Sequence, residues 1–133
     1  METVRFLELP KEWAPSVRLL LPEIGVACAE NGVPVKVCRG KGLALTRTEE
    51  GITLTAERQQ DFSRALSHLP ALLSGRKTEI SEKCTATTLC LMAECSRNAV
   101  MNLPFAKLYL RRLSLMGYDS MMLYTEDTYE LPG

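Results

Sequence analysis

Two nearly unbroken apolar runs, separated by a single amphipathic helix, constrain this chain more than any other feature. The first, Thr88 to Glu94, reads TLCLMAE, and the second, Ser120 to Thr125, reads SMMLYT. Runs this short and this apolar are expected as buried strands. Between them Phe105, Leu108, Leu113, Leu115 and Met116 gather on one side of a helix expected over Pro104 to Met116. Asn102 is placed to cap it, Pro104 suits its first turn, and Gly117 closes it. Strand, helix and strand in this order form a βαβ unit, which requires the two strands to be parallel. Each run ends in polar and charged residues, Ser96-Arg97-Asn98 after the first and Glu126-Asp127 after the second. Ligands of parallel α/β folds sit at the carboxyl ends of the strands. Arg97, Glu126 and Asp127 are therefore the candidate site residues.

The chain upstream has a different texture. A lead-in strand, VRFLEL, stops at Pro10, and a helix is expected over Ala14 to Glu30 with Pro22 kinking or breaking it. Three short strands follow, Val33 to Cys38, Leu43 to Arg47 and Ile52 to Thr55, joined by Gly-containing turns that favour antiparallel hairpins. A second helix is expected over Ala56 to Leu69, where Phe62, Ala65, Leu66 and Leu69 make a stripe at helical spacing. His68 beside that stripe reads as a structural residue. A strand over Lys77 to Glu82 and a polar joint, Lys83 to Thr87, complete this part. The expected fold class is α/β: an α+β domain over residues 1–84 with an antiparallel sheet and two helices, then a βαβ unit over 85–133.

A βαβ unit alone leaves strand edges and faces that need neighbours. Strands like these belong to a larger parallel sheet or barrel, and a full (β/α)₈ barrel takes roughly 250 residues. Only residues 88–133 remain after the joint, so the chain is expected to be the N-terminal part of a longer protein or a truncated reading frame of one.

Charge and cysteine usage remove several function classes. Sixteen basic residues balance sixteen acidic ones, which gives no support for binding nucleic acid or an anionic membrane. No window is long and apolar enough for a transmembrane helix, and the N-terminus lacks the pattern of a secretion signal. The five cysteines, with no CxxC and one histidine, lack zinc-ligand spacing and read as reduced thiols filling small apolar gaps in a cytoplasmic protein. No cofactor and no metal are expected.

The segments Cys95-Ser96-Arg97-Asn98-Ala99-Val100, Leu115-Met116-Gly117-Tyr118 and Leu123-Tyr124-Thr125-Glu126-Asp127-Thr128-Tyr129-Glu130 resemble the first two barrel strands and intervening helix of glycoside hydrolase family 20, in particular bacterial β-N-acetylhexosaminidases. Asp61-Phe62-Ser63-Arg64-Ala65-Leu66 is similar to the last helix of the small α/β domain preceding that barrel. The resemblance implies an exo-acting hydrolase that removes terminal β-linked N-acetylglucosamine or N-acetylgalactosamine. It implies substrate assistance, the sugar's own acetamido oxygen attacking the anomeric carbon. Arg97 would hold ring hydroxyls, a use its rigid fork of donors suits. Glu126 and Asp127 match the family's acidic pair after the second strand. Glu94 stands where the first strand often ends in Asp. The family's catalytic Asp-Glu pair belongs to a later strand absent from these 133 residues, so the chain alone is expected to be inactive. An acid/base pair of Glu94 with Glu126 is the less favoured assignment, and Tyr124 and Tyr129 read as packing residues. The alternative function is a stand-alone interaction module, self-associating through unpaired strand edges.

Overall fold

The computed structural model describes residues 2–96 and 100–125. Six strands make one sheet: β1 (Glu2–Leu7), β2 (Val26–Cys28), β3 (Val33–Arg39), β4 (Leu43–Thr48), β5 (Gly51–Ala56) and β6 (Glu79–Glu82), in the spatial order β2-β1-β3-β5-β4-β6. Every second residue of the central strands is apolar, and those residues share one face. Val4, Val35, Leu45 and Leu54 are wholly buried, while Arg5, Lys36, Thr46 and Thr53 point to solvent. Register brings the buried set together, Leu45 lying opposite both Leu54 and Ile80.

Three helices cover this face: α1 (Ala14–Leu20), α2 (Gln59–Leu66) and α3 (Leu69–Leu73). α2 starts where Arg58 is extended and Asp61, three residues on, accepts the Arg58 backbone N–H at 3.0 Å. Its buried stripe inserts Phe62 into an aromatic cluster, stacked on Trp13 (centroids 4.8 Å apart) and edge-on to Phe6 (6.4 Å).

The α/β class holds, and three expectations within it are corrected. The sheet is mixed, not antiparallel throughout. β4 and β5 form the hairpin, but β3 pairs with β5 in parallel, so β5 inserts between β3 and β4. Gly51 permits this. Its φ is +144°, and a Cβ there would lie 2.5 Å from the Pro34 carbonyl oxygen, so only glycine lets β5 start hard against β3. The helix expected over Ala14 to Glu30 ends at Leu20. Pro22 has no N–H to continue it, one 3₁₀ turn (Pro22–Ile24) follows, and left-handed Gly25 redirects Val26–Cys28 to the sheet edge beside β1. The helix expected over Ala56 to Leu69 is α2 followed by the separate short α3, with Pro70 in the first turn of α3.

Beyond the joint, β7 (Cys90–Glu94), α4 (Leu103–Leu115) and β8 (Ser120–Tyr124) form the βαβ unit, with the strands parallel and Glu94 opposite Tyr124. Asn102 Oδ1 accepts the Phe105 N–H at 2.9 Å, capping α4, and Gly117 (φ +88°) turns the chain out of it. Asp119 ties the amino ends of the strands: its Oδ2 accepts the Leu89 N–H, and its own N–H donates to the Leu89 carbonyl. The strands are not buried as expected. Met92 and Met122 are more than half exposed, because no further strand or helix flanks the pair among the described residues. α4 instead packs on α1 and α2, burying Leu113 and Leu115. Each such leucine contributes roughly 1.5–3 kcal/mol when fully buried.

Candidate functional site

The parallel alignment of β7 and β8 sets their carboxyl ends side by side. The ladder runs one rung beyond the strands, the Cys95 N–H donating to the Tyr124 carbonyl at 2.7 Å. Glu94 then turns the chain. Its Oε1 accepts the Ser96 N–H at 3.0 Å and also the Ser96 hydroxyl, a local side-chain clasp of the kind that competes with regular strand pairing. The carboxylate is exposed at the strand end. Arg97, Glu126 and Asp127 lie outside the described residues, as does Tyr129. What the structure brings together are the stems from which those stretches depart, Glu94-Cys95-Ser96 and Tyr124-Thr125. Tyr124 is partly exposed and not packed in the core.

The clefts lie elsewhere. The larger, about 680 Å³, runs where α4 crosses α1 and α2, and Ser16, Ser63, Lys107 and Tyr118 help line it. A second, about 380 Å³, lies at the joint between the six-stranded sheet and the βαβ unit, with Arg64, Glu82, Leu89 and Gly117 among its walls. Tyr118 and Leu89 precede the strands, so both clefts face the amino ends of β7 and β8. Strand-end chemistry would occupy the opposite end, which makes that end the better candidate despite its lack of a formed cleft among the described residues.

Electrostatic structure concentrates at the joint. Arg64 grips Glu82 with two bonds, Nε to Oε2 at 2.9 Å and Nη2 to Oε1 at 3.0 Å. The guanidinium holds the Glu82 carboxyl below its ordinary range. His68 Nε2 lies 2.9 Å from Glu82 Oε1 but off the line of a proper hydrogen bond. Burial, and then the Arg64 charge, push His68 below its ordinary value. At neutral pH the ring is therefore uncharged, and its short approach to Oε1 lacks the alignment of a hydrogen bond. Sequence alone places His68 beside the apolar stripe of α2 without showing these partners. The signal in the sequence is the i, i+4 spacing of Arg64 and His68.

Cysteine usage also needs correction. No two of the five thiols are joined, and Cys28, Cys84 and Cys90 are exposed, so they do not fill gaps in the core. Among the described residues no group of three His, Cys, Asp or Glu side chains could hold a metal ion, and no helix is long and apolar enough to cross a membrane.

A six-stranded mixed α/β sheet followed by a parallel strand–helix–strand unit is an arrangement shared with the β-N-acetylhexosaminidases of glycoside hydrolase family 20, which this chain resembles in fold. The Vibrio harveyi exo-β-N-acetylglucosaminidase of that family, solved with N-acetylglucosamine, superposes over 93% of this chain with a TM-score of 0.67 and 16% identity. A variant Streptomyces plicatus β-hexosaminidase solved with its product GlcNAc superposes over 92% with a TM-score of 0.63 and 18% identity. The Streptomyces coelicolor β-N-acetylhexosaminidase gives 0.60 over 92% at 17% identity. The chain spans 22% of the Vibrio protein and 30% of each Streptomyces protein. No protein-family model matches the sequence, and no curated protein matches it significantly.

Proposed function

We propose that this chain supplies the accessory domain (residues 1–84) and the first βαβ of a (β/α)₈ barrel (85–133) in a β-N-acetylhexosaminidase of the family 20 kind. The enzyme would release terminal β-linked N-acetylglucosamine or N-acetylgalactosamine by substrate assistance. One observation carries the reading: the fold likeness runs through both the six-stranded sheet and the βαβ unit, covering 92–93% of the chain. The Ser96-Arg97-Asn98 and Tyr124-Thr125-Glu126-Asp127 segments, quoted above as family-like, begin at the carboxyl ends of β7 and β8, where a barrel enzyme carries its chemistry.

In this reading Arg97 donates to ring hydroxyls of the terminal sugar, and Glu126 and Asp127 support the pocket through hydrogen bonds. Glu94, clasped by Ser96, shapes the exit from β7. The acid that protonates the leaving oxygen, and the carboxylate that orients the acetamido group, come from later βα units outside these 133 residues. The chain by itself is then inactive.

The test is hydrolysis of a chromogenic β-N-acetylglucosaminide by the 133-residue chain and by a protein that continues its reading frame through the later strands. The proposal expects cleavage by the longer protein only, and a loss of about 100-fold or more in kcat/KM for Arg97→Ala within it. Cleavage by the short chain would move the catalytic pair to Glu94 and Glu126. Absence of cleavage by both, with a stable dimer of the short chain, would favour the interaction module.

A further inference from the structure

The joint between the six-stranded sheet and the βαβ unit holds an arrangement that the proposed activity does not use. Arg64 sits at its centre. Its Nε and Nη2 fork onto Glu82 of β6, while Nη1 reaches the Leu115 carbonyl at 3.5 Å and the Ser67 hydroxyl at 3.3 Å. Leu115 ends α4, and its carbonyl is one of the last four that no intrahelical N–H satisfies. A cation at a helix C-terminus is doubly placed, as a donor to those carbonyls and as a complement to the helix dipole. The following turn closes over the same side chain: a Cβ built on Gly117 would stand 3.5–3.8 Å from the Arg64 stem. One arginine thus joins β6 to the end of α4.

His68 is the element that can disturb this. Its Nε2 approaches Oε1, the same Glu82 oxygen that Arg64 Nη2 occupies. The geometry points to a proton-sensitive latch in which protonation of His68 draws Glu82 Oε1 away from Arg64 and loosens the docking of α4 on the small domain. With His68 neutral, one cation faces one carboxylate and the fork is closed. Adding a proton places a second positive charge 2.9 Å from the same carboxylate oxygen. Oε1 then faces two cations, and Arg64 and His68 repel each other.

The other charged groups act in the same direction or stand aside. Lys77, from the segment before β6, adds positive charge near His68 and so opposes its protonation. Asp61 shares the joint cleft but is committed to Arg58 (3.1 Å). Lys83 lines the cleft as a further cation. Among the described residues Glu82 is the anion whose charge acts on the imidazole. Burial together with the Arg64 charge keeps His68 neutral until the pH falls below the ordinary histidine range. The latch is closed at neutral pH and opens as the pH falls below the ordinary histidine range and His68 takes up its proton. This inference does not depend on the glycosidase reading.

The chain contains one histidine, so its ring protons can be followed by NMR without assignment ambiguity. Two quantities are recorded between pH 7.5 and 5: the His68 ring titration, and amide exchange at Met116, Gly117 and Tyr118, corrected for intrinsic rate. The expected result is a ring midpoint below 6.5 and a loss of protection of about tenfold at those amides over the same interval. In His68→Gln the loss over that interval is absent. A ring that titrates while the three amides keep their protection would overturn the latch, as would an equal loss in His68→Gln. If that variant fails to fold, Glu82→Gln serves: protection at the three amides should already be low at pH 7.5 and insensitive to pH. Wild-type protection at pH 7.5 in Glu82→Gln would overturn it equally.

Discussion

Phe62→Ala is the substitution with the best-defined outcome. The Phe62 ring is completely buried in α2, stacked on Trp13 at 4.8 Å and edge-on to Phe6 at 6.4 Å. Truncation removes its transfer free energy and leaves a cavity, which together cost about 3–5 kcal/mol for a core phenylalanine. Two aromatic contacts vanish with it, each worth about 0.5–1.5 kcal/mol beyond area, so the upper half of that range is expected. The assay is urea unfolding followed by tryptophan fluorescence. Trp13 is the only tryptophan and is itself buried against the missing ring, so the probe reports on the perturbed site. The midpoint should fall steeply with little change in m. Phe62→Leu, which keeps most of the volume, should lose less than half as much. A loss below about 1 kcal/mol for Phe62→Ala would show that the ring does not fill the space described, and the packing of α2 on the sheet would need to be redrawn.

Gly51→Ala should destabilise by about 2 kcal/mol or more, read from the same unfolding curve, since its Cβ would press on the Pro34 carbonyl at 2.5 Å where φ is +144°. Asn102→Ala should cost about 1 kcal/mol, seen as faster amide exchange at Phe105, because the N-cap acceptor at 2.9 Å is lost. Two pH windows should appear in the stability. His68 has a lowered folded-state value, so the unfolded chain takes up its proton first and stability declines as pH falls below about 6.5. Glu82 is also lowered, so its contribution is complete above about 4.5 and is lost as pH falls further. His68→Gln should abolish the first decline and Glu82→Gln the second, both measured as urea midpoints against pH.

The βαβ unit was legible because its signals are local. Two apolar runs, a cap at Asn102 and a stop at Gly117 each act over a few residues, and all four sit where expected. The helical stripe around Phe62 was equally plain. The strand order was not. Turn composition tells how sharply the chain reverses, but β5 lies between β3 and β4 because Gly51 tolerates the Pro34 backbone, a contact between residues 17 positions apart. The helix beyond Pro22 was overestimated because Val26 and Ala27 suit a helix face and an edge strand alike, and pairing with β1 decides for the strand. At the candidate site, the strand ends were readable from where the apolar runs stop. Arg97, Glu126 and Asp127 lie outside the described residues, on the stretches that leave those strand ends. The Arg64–Glu82–His68 cluster escaped notice because it is assembled from α2, β6 and the turn before α3, and no sequence spacing links Glu82 to the other two.

The parallel pair β7–β8 and the adjoining end of α4 present three thioethers to solvent, at Met92, Met116 and Met122. Peroxide converts such side chains to sulfoxides, polar and chiral groups that no apolar contact accepts. Their oxidation rate therefore measures what lies against this surface. In the chain as it stands all three should react readily, and a strand or helix laid over the pair should protect Met92 and Met122 first. Oxidation beforehand should in turn prevent that element from docking, which gives the open face of the βαβ unit a chemical sensitivity that its six-stranded neighbour, sealed around Phe62, does not share.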